Sequence, residues 1–291
     1  MPAPRKLKRV AAIHDLSGFG KCSLTVALPV LSASGIEVSA MPTAILSTHT
    51  GGISGYTYLD TTGEMAPFAR HWKSLGIRFD AVYSGFLGSF EQLAIVRDFI
   101  DDFRGEGSIA LVDPVMADNG ELYKIFTPAF ALGMKEVCKK ADIIVPNITE
   151  AALLLGEKYL DGPYTEDYIL GLIKGLADLD PQGKGPKRIV LTGVYFDDKD
   201  LGAATYDKVT GEVDYCLVPR IPGYYHGTGD VYASALLAGL LNGFRLSEAA
   251  AIAVRYTAGS IRRTYEAGDD IRFGVNFEHG FPGLIRELGL I

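Results

Sequence analysis

The chain has 291 residues, 48% of them hydrophobic and 22% charged, with a formal net charge of −7. That length suits one large domain with a core that needs neither disulfides nor a structural metal, and the composition excludes disorder, collagen and coiled coil as the main state. The acidic balance argues against a duplex nucleic-acid binder but leaves room for a local site that takes a small anion.

Strand-like and helix-like segments alternate along the chain. Residues 9–13 read as a first buried strand, and 23–34 as a helix ended by Gly35. Residues 36–46 are β-rich, 65–75 form a helix closed by Gly76, and 79–83 a short strand. A helix over 90–103 precedes a strand over 108–112 that ends at Asp113-Pro114. Next come a helix over 128–140, a strand over 142–145, helices over 149–155 and 165–179, and a strand over 188–192. Segments 201–206 and 212–218 read as a hairpin turned at Thr210-Gly211. Helices over 230–241 and 247–264 follow, and 281–290 is helical. This alternation implies right-handed crossovers and an α/β fold: a doubly wound, mostly parallel central sheet with helices on both faces. No linker divides the chain, so residues 1–291 read as one domain.

Three distant cysteines, Cys22, Cys138 and Cys216, include no CxxC pair and fit a reducing, cytoplasmic setting. Arg5, Lys6, Lys8 and Arg9 are followed by too short an apolar run for a signal peptide. The longest apolar stretch, 231–241, is too short to span a bilayer. No membrane and no nucleic acid are expected as partners.

Ligands of such sheets sit beyond the carboxyl ends of the strands. His14-Asp15, Ser47–Thr50, Ser84-Gly85, Asp113–Asp118, Pro146–Glu150 and Thr192-Gly193 all fall there. Gly227-Thr228-Gly229-Asp230 opens a helix. Its glycines and helix start can form an anion hole, and Asp230 can serve as a base; an ordinary capped turn fits the same spacing. Asn147 and Glu150 have the spacing of a capping box or of a pair that faces a cation. The stretch 18–23 is no Walker loop, because Cys22 follows Lys21; Lys21 reads as a solvated side chain or as one near the substrate. No histidine pair has zinc spacing.

His226-Gly-Thr-Gly-Asp230, followed by a small-residue helix, resembles the phosphate-transfer motif of the ribokinase superfamily. Asp113-Pro-Val-Met-Ala-Asp118 resembles an Asp-Pro-Val-(Leu/Met)-Gly-Asp element of its vitamin-kinase branch. Pro146-Asn147-Ile-Thr-Glu150 resembles the Asn-x-x-Glu element that places magnesium, and Ser47-Thr-His-Thr-Gly51 a segment of pyridoxal kinases. The motifs occur in family order over most of the chain, and the likeness is greatest to the bacterial pyridoxal and pyridoxamine kinases. Residues 12–20 resemble both this branch and the hydroxymethylpyrimidine kinases.

The resemblance implies a ribokinase-like fold and ATP-dependent phosphorylation of the 5′-hydroxymethyl group of a pyridine vitamer. It makes Asp230 the base and Gly227, Thr228 and Gly229 the anion hole. Asp15, Ser17 and Thr50 would hold the ring, with Leu46 and Phe86 on its faces. Asn147, Thr192 and Asp113 would face ATP, and Asp118 and Glu150 would hold Mg²⁺. Relatives often use K⁺ as well, but Val145 stands where they carry a threonine. A homodimer is expected. The rival readings are a hydroxymethylpyrimidine kinase of thiamine synthesis and a vitamer-binding protein without turnover.

Overall fold

The computed structural model describes residues 7–291, so Arg5 and Lys6 lie outside the described residues. Nine of the strands form one sheet. Their order is β11 (Glu212–Pro219), β10 (Asp200–Asp207), β9 (Arg188–Val194), β8 (Ile143–Ile144), β5 (Ile109–Val112), β4 (Ala81–Ser84), β1 (Lys8–Phe19), β2 (Ile36–Thr48), β3 (Tyr58–Asp60). Pairing is parallel from β9 to β2, and the antiparallel pairs lie at the edges: β2 with β3 on one side, and β9 with β10 and β10 with β11 on the other. A small hairpin, β6 (Ala117–Asp118) and β7 (Glu121–Leu122), stands apart.

Helices cover both faces of the sheet. On one face α1 (Leu24–Ala33), α7 (Thr228–Leu241), α8 (Leu246–Ala267) and α9 (Phe281–Glu287) share a core with Val10, Tyr83, Leu111 and Val190. On the other, α2 (Thr62–Ser74), α3 (Phe90–Phe103), α4 (Pro128–Cys138), α5 (Ile148–Leu155) and α6 (Glu166–Ala177) pack with Ala11, Ile13, Phe79 and Leu191. Neighbouring residues of β1 thus enter opposite cores, which is why the strand reads as a continuous apolar run. In α7, Val231 through Gly239 are all buried. The helix lies between α1 and α8, and a Cβ on Gly239 would come within 2.8 Å of that of Ala249. Small residues on every side are what this double packing needs.

Three differences from the sequence reading matter for the site. The first strand does not stop at Ile13. Beyond Ile13 it loses β4 as a neighbour but continues beside β2, with a register slip between His14 and Leu16. Asp15 therefore sits at a bulge inside the strand, where the β4 side is open, and not in a strand-end loop. The β6–β7 hairpin and β3 are too short to leave a periodic signal. α8 continues to Ala267, beyond the expected end at residue 264.

Candidate active site

α7 starts without a side-chain cap. Its N-cap, Gly227, has φ 72°, and a Cβ there would lie 1.9 Å from the carbonyl oxygen of Lys21. Only glycine allows the turn to press so closely on the β1–α1 loop. The first N–H groups of the helix keep no intrahelical partner, and Gly229 is exposed. Asp230, in this first turn, is half-buried. Burial pushes its carboxyl up to about 7; a backbone N–H from Ser23 opposes the shift and the nearby Asp15 charge adds to it.

Asp15 is buried and held by hydroxyls. Ser23 Oγ donates to Oδ1 at 2.5 Å and Ser17 Oγ to Oδ2 at 3.2 Å. Burial still raises its carboxyl above the ordinary value. Cys22 Sγ lies 3.6 Å from Ser17 Oγ. Burial and the Asp230 and Asp15 charges push that thiol well up, so it stays protonated. Ser23 has φ 54° and ψ −129°, a conformation that costs a non-glycine residue about 1–3 kcal/mol.

A second acidic group lies across the helix start. Asp113 follows β5, and its Oδ2 would be 3.9 Å from a Cβ on Gly229. Burial, then the Glu150 and Asp230 charges, hold its carboxyl well above the usual range. Glu150 forms the capping box of α5: Oε2 accepts the Asn147 N–H at 2.9 Å, while Asn147 Oδ1 accepts the Glu150 N–H at 2.9 Å. Glu150 Oε1 also accepts from Met116 N–H at 3.0 Å. Burial raises Glu150 to about 8 against these donors. Asn147 Nδ2 donates to Ala117 O at 2.8 Å, which ties the β6–β7 hairpin to α5. Asp118, at the end of β6, accepts from Asn119 N–H at 2.8 Å and from the Tyr224 hydroxyl. Thr192 is half-buried beside Asn147, and its hydroxyl reaches Pro146 O only at 3.4 Å.

Among the described residues none of these five carboxylates forms an ion pair. Among the described residues no three acidic, histidine or cysteine side chains converge closely enough to enclose a metal by themselves. A cation that neutralised this region would need oxygens from phosphates and water.

The ring-binding candidates are less closely assembled. Leu46 is buried and is the register partner of Ser17. Phe86 is half-buried, 5.8 Å from the Phe126 ring, and its carbonyl accepts from Thr43 Oγ1 at 3.0 Å. Thr50 is exposed in the bend after β2. Beside it, His49 Nδ1 accepts from Gly51 N–H at 3.1 Å, so Nε2 carries the proton and donates to Arg272 O. The His226 ring is 5.1 Å from that of His49, and burial lowers its pKa.

Lys21 is not the solvated side chain expected. It is half-buried, and its Nζ donates to Asn276 Oδ1 and to Glu278 Oε2, each at 2.9 Å. Its N–H donates to Phe273 O at 2.9 Å. The segment after α8 thus straps the β1–α1 loop, although no motif marks it. Tyr224 and Ser23 were equally unmarked: each gains a role only through a contact distant in sequence.

Residues 28–274 match the phosphomethylpyrimidine kinase family. A Bacteroides thetaiotaomicron protein assigned to the phosphomethylpyrimidine kinases is 37% identical and superposes with a TM-score of 0.91, over 98% of this chain and 96% of that one. Its crystal form with pyridoxal gives 0.90 at 37% identity, over 96% of each chain. Pyridoxal kinase from Lactobacillus plantarum is 31% identical, with a TM-score of 0.88 over 97% of this chain and 98% of its own. The pyridoxal kinase of Deinococcus radiodurans is 28% identical over 239 residues, 79% of this chain and 78% of that protein. The chain thus belongs to the phosphomethylpyrimidine kinase family of small-molecule kinases and has the ribokinase-like fold.

Proposed function

We propose that the protein uses ATP to phosphorylate the 5′-hydroxymethyl group of pyridoxal, pyridoxamine or pyridoxine. The observation that carries this reading is the pairing, in one helical turn, of an uncapped N-terminus with a carboxyl that titrates near neutrality. Asp230 takes the proton of the attacking hydroxyl. The N–H groups of Gly227, Thr228 and Gly229 stabilise charge on the transferring phosphoryl group. Asp15 and Ser17 hold the ring nitrogen or its hydroxyl, Thr50 a ring substituent, and Leu46 and Phe86 the ring faces. Asn147, Thr192 and Asp113 face the nucleotide.

The unpaired acids suit Mg²⁺ held mainly by phosphate oxygens and water, with Asp118 and Glu150 around it. Both Glu150 oxygens already accept main-chain N–H groups, so it acts through water. When bound, the ion offsets phosphate charge. The apolar Val145 leaves no hydroxyl for K⁺ at that position.

Cys22, Cys138 and Cys216 are free, and no helix among the described residues is long and apolar enough to cross a membrane. Both fit a cytoplasmic enzyme, and the family likeness supports a homodimer, which sedimentation velocity tests.

A hydroxymethylpyrimidine kinase is the second reading, favoured by the family match and by His226 before the Gly-Thr-Gly turn. A coupled ADP-release assay with Mg-ATP and each of pyridoxal, pyridoxamine, pyridoxine, hydroxymethylpyrimidine and ribose separates them. Turnover of a pyridine vitamer, with kcat/KM for the pyrimidine lower by about tenfold or more, is expected; a tenfold ratio is ~1.4 kcal/mol of transition-state discrimination. Preference for the pyrimidine moves the substrate to thiamine synthesis. No turnover with any of them leaves the fold standing and points to a binding protein or to a kinase of another substrate.

A further inference from the structure

We propose that Ser23 is a positioning residue that holds Asp15 and Asp230 in register, and that its strained backbone is retained for this purpose. The inference rests on the reading of Asp230 as the base and Asp15 as the ring partner.

Among the described residues only Ser23 and Asn119 combine a side chain with positive φ. Asparagine tolerates that region because its amide bonds locally; serine at ψ −129° lies in territory kept for glycine. Such strain persists where surrounding contacts over-determine it, and here both the hydroxyl and the carbonyl of the residue are bonded. The hydroxyl donates to Asp15 at 2.5 Å. The N–H favours the ionised Asp230 carboxyl, and the adjoining Cys22 packs against Gly227 at the start of α7, where a Cβ would lie 3.5 Å from the Cys22 Cα. The carbonyl accepts from Val26 at 3.0 Å and Ala27 at 2.9 Å, which fixes the residue to the start of α1. One residue therefore spans the β1 bulge and the first turn of α7. Among the described residues neither carboxylate has a cationic partner, so Ser23, bonded to Asp15 and set beside Asp230, keeps two like charges at a set separation.

The groups that face this pair are Cys22 in the same loop, His49 after β2, Tyr58 on β3, Tyr83 on β4 and Asp113 after β5. All but His49 are acids. Loss of the Ser23 hydroxyl makes Asp15 easier to protonate, which weakens the negative field at Asp230.

The test compares Ser23→Ala and Ser23→Gly with wild type in kcat, in KM for pyridoxal and for ATP, in the pH profile of kcat and in thermal stability. Both variants should raise KM for pyridoxal by about tenfold, leave KM for ATP within about twofold, and move the acid limb of kcat to lower pH. Ser23→Gly, relieved of strain, should melt above Ser23→Ala. Two outcomes overturn the proposal: a fall in kcat or melting temperature with an unmoved acid limb and KM for pyridoxal, or Ser23→Gly melting at or below Ser23→Ala. Should Ser23→Ala not fold, the KM and pH readouts of Ser23→Gly decide. Asp230→Asn serves as the control: full turnover in that variant removes the base reading, whereas an inactive Asp230→Asn beside wild-type kinetics in both Ser23 variants removes only the role of Ser23.

Discussion

α5 and α7 both begin at the carboxyl edge of the sheet with an acid in the first turn, yet they are finished in opposite ways. At α5 the acid is turned back on its own helix: Glu150 and Asn147 close a reciprocal capping box, and Met116 supplies a further N–H. At α7 the N-cap is a left-handed glycine with no side chain to offer, and Asp230 is not turned back on its own helix; the Ser23 N–H in a different loop favours its ionised form. The first arrangement satisfies the helix and locks it to the β6–β7 hairpin. The second leaves N–H groups and a half-buried carboxyl available to a ligand. A helix N-terminus thus becomes an anion site only where the capping side chain is withheld.

The contrast breaks most directly if the two acids respond alike to mutation. Asp230→Asn should lower kcat by about 10²–10⁴ with KM for the vitamer changed only a few-fold. In the wild type kcat should rise with pH through about 7, as the Asp230 carboxyl ionises. Steady-state kinetics across pH checks both, and a variant that keeps full kcat would falsify the assignment of Asp230.

Glu150→Ala should act chiefly on stability. It strands the Asn147 and Met116 N–H groups, at a cost of about 2–4 kcal/mol in urea unfolding. An undiminished midpoint would show that the box does not hold α5.

A third measurement separates acid effects on the fold from those on turnover. His14 is fully buried with no hydrogen-bond partner for either ring nitrogen among the described residues, and burial lowers its pKa to about 3. The unfolded chain binds a proton below about 6.5 that the folded one cannot, so stability falls as pH drops through that window, by about 2 kcal/mol at pH 5. Glu150 acts in the reverse sense: its raised carboxyl keeps its proton in the fold up to about 8, so stability falls as pH rises from the ordinary carboxyl value. His14→Leu should flatten the melting-temperature profile below pH 6.5 alone; an unchanged acid slope would contradict the neutral burial of His14.

The smallest expected effect is at Asp15. Asp15→Asn should raise KM for pyridoxal about tenfold and spare kcat. An equal loss in KM for ATP would place Asp15 outside the ring site.

The alternation of strands and helices was legible because each element buries an apolar face at its own period, and the expected hairpin over 201–206 and 212–218 appears as β10 and β11. Gly227 and Asp230 were legible for a related reason: a tight turn at a helix start needs glycine locally, whatever lies around it. Asn147 and Glu150 showed their spacing but not which use prevails. That depended on Met116 and Ala117, which reach α5 from the neighbouring hairpin.

What the sequence by itself determined, then, was the layered fold and the residue types gathered at the strand ends, since periodicity and turn chemistry act over a few residues. Only the tertiary structure decided how those residues are held. The open side of β1 at Asp15 exists because β4 ends at Ser84, and the strap on Lys21 comes from residues more than 250 positions later. The strained bridge at Ser23 joins a strand and a helix more than 200 positions apart. Contacts of this kind obey packing and hydrogen-bond geometry across the whole chain, and no local pattern records them.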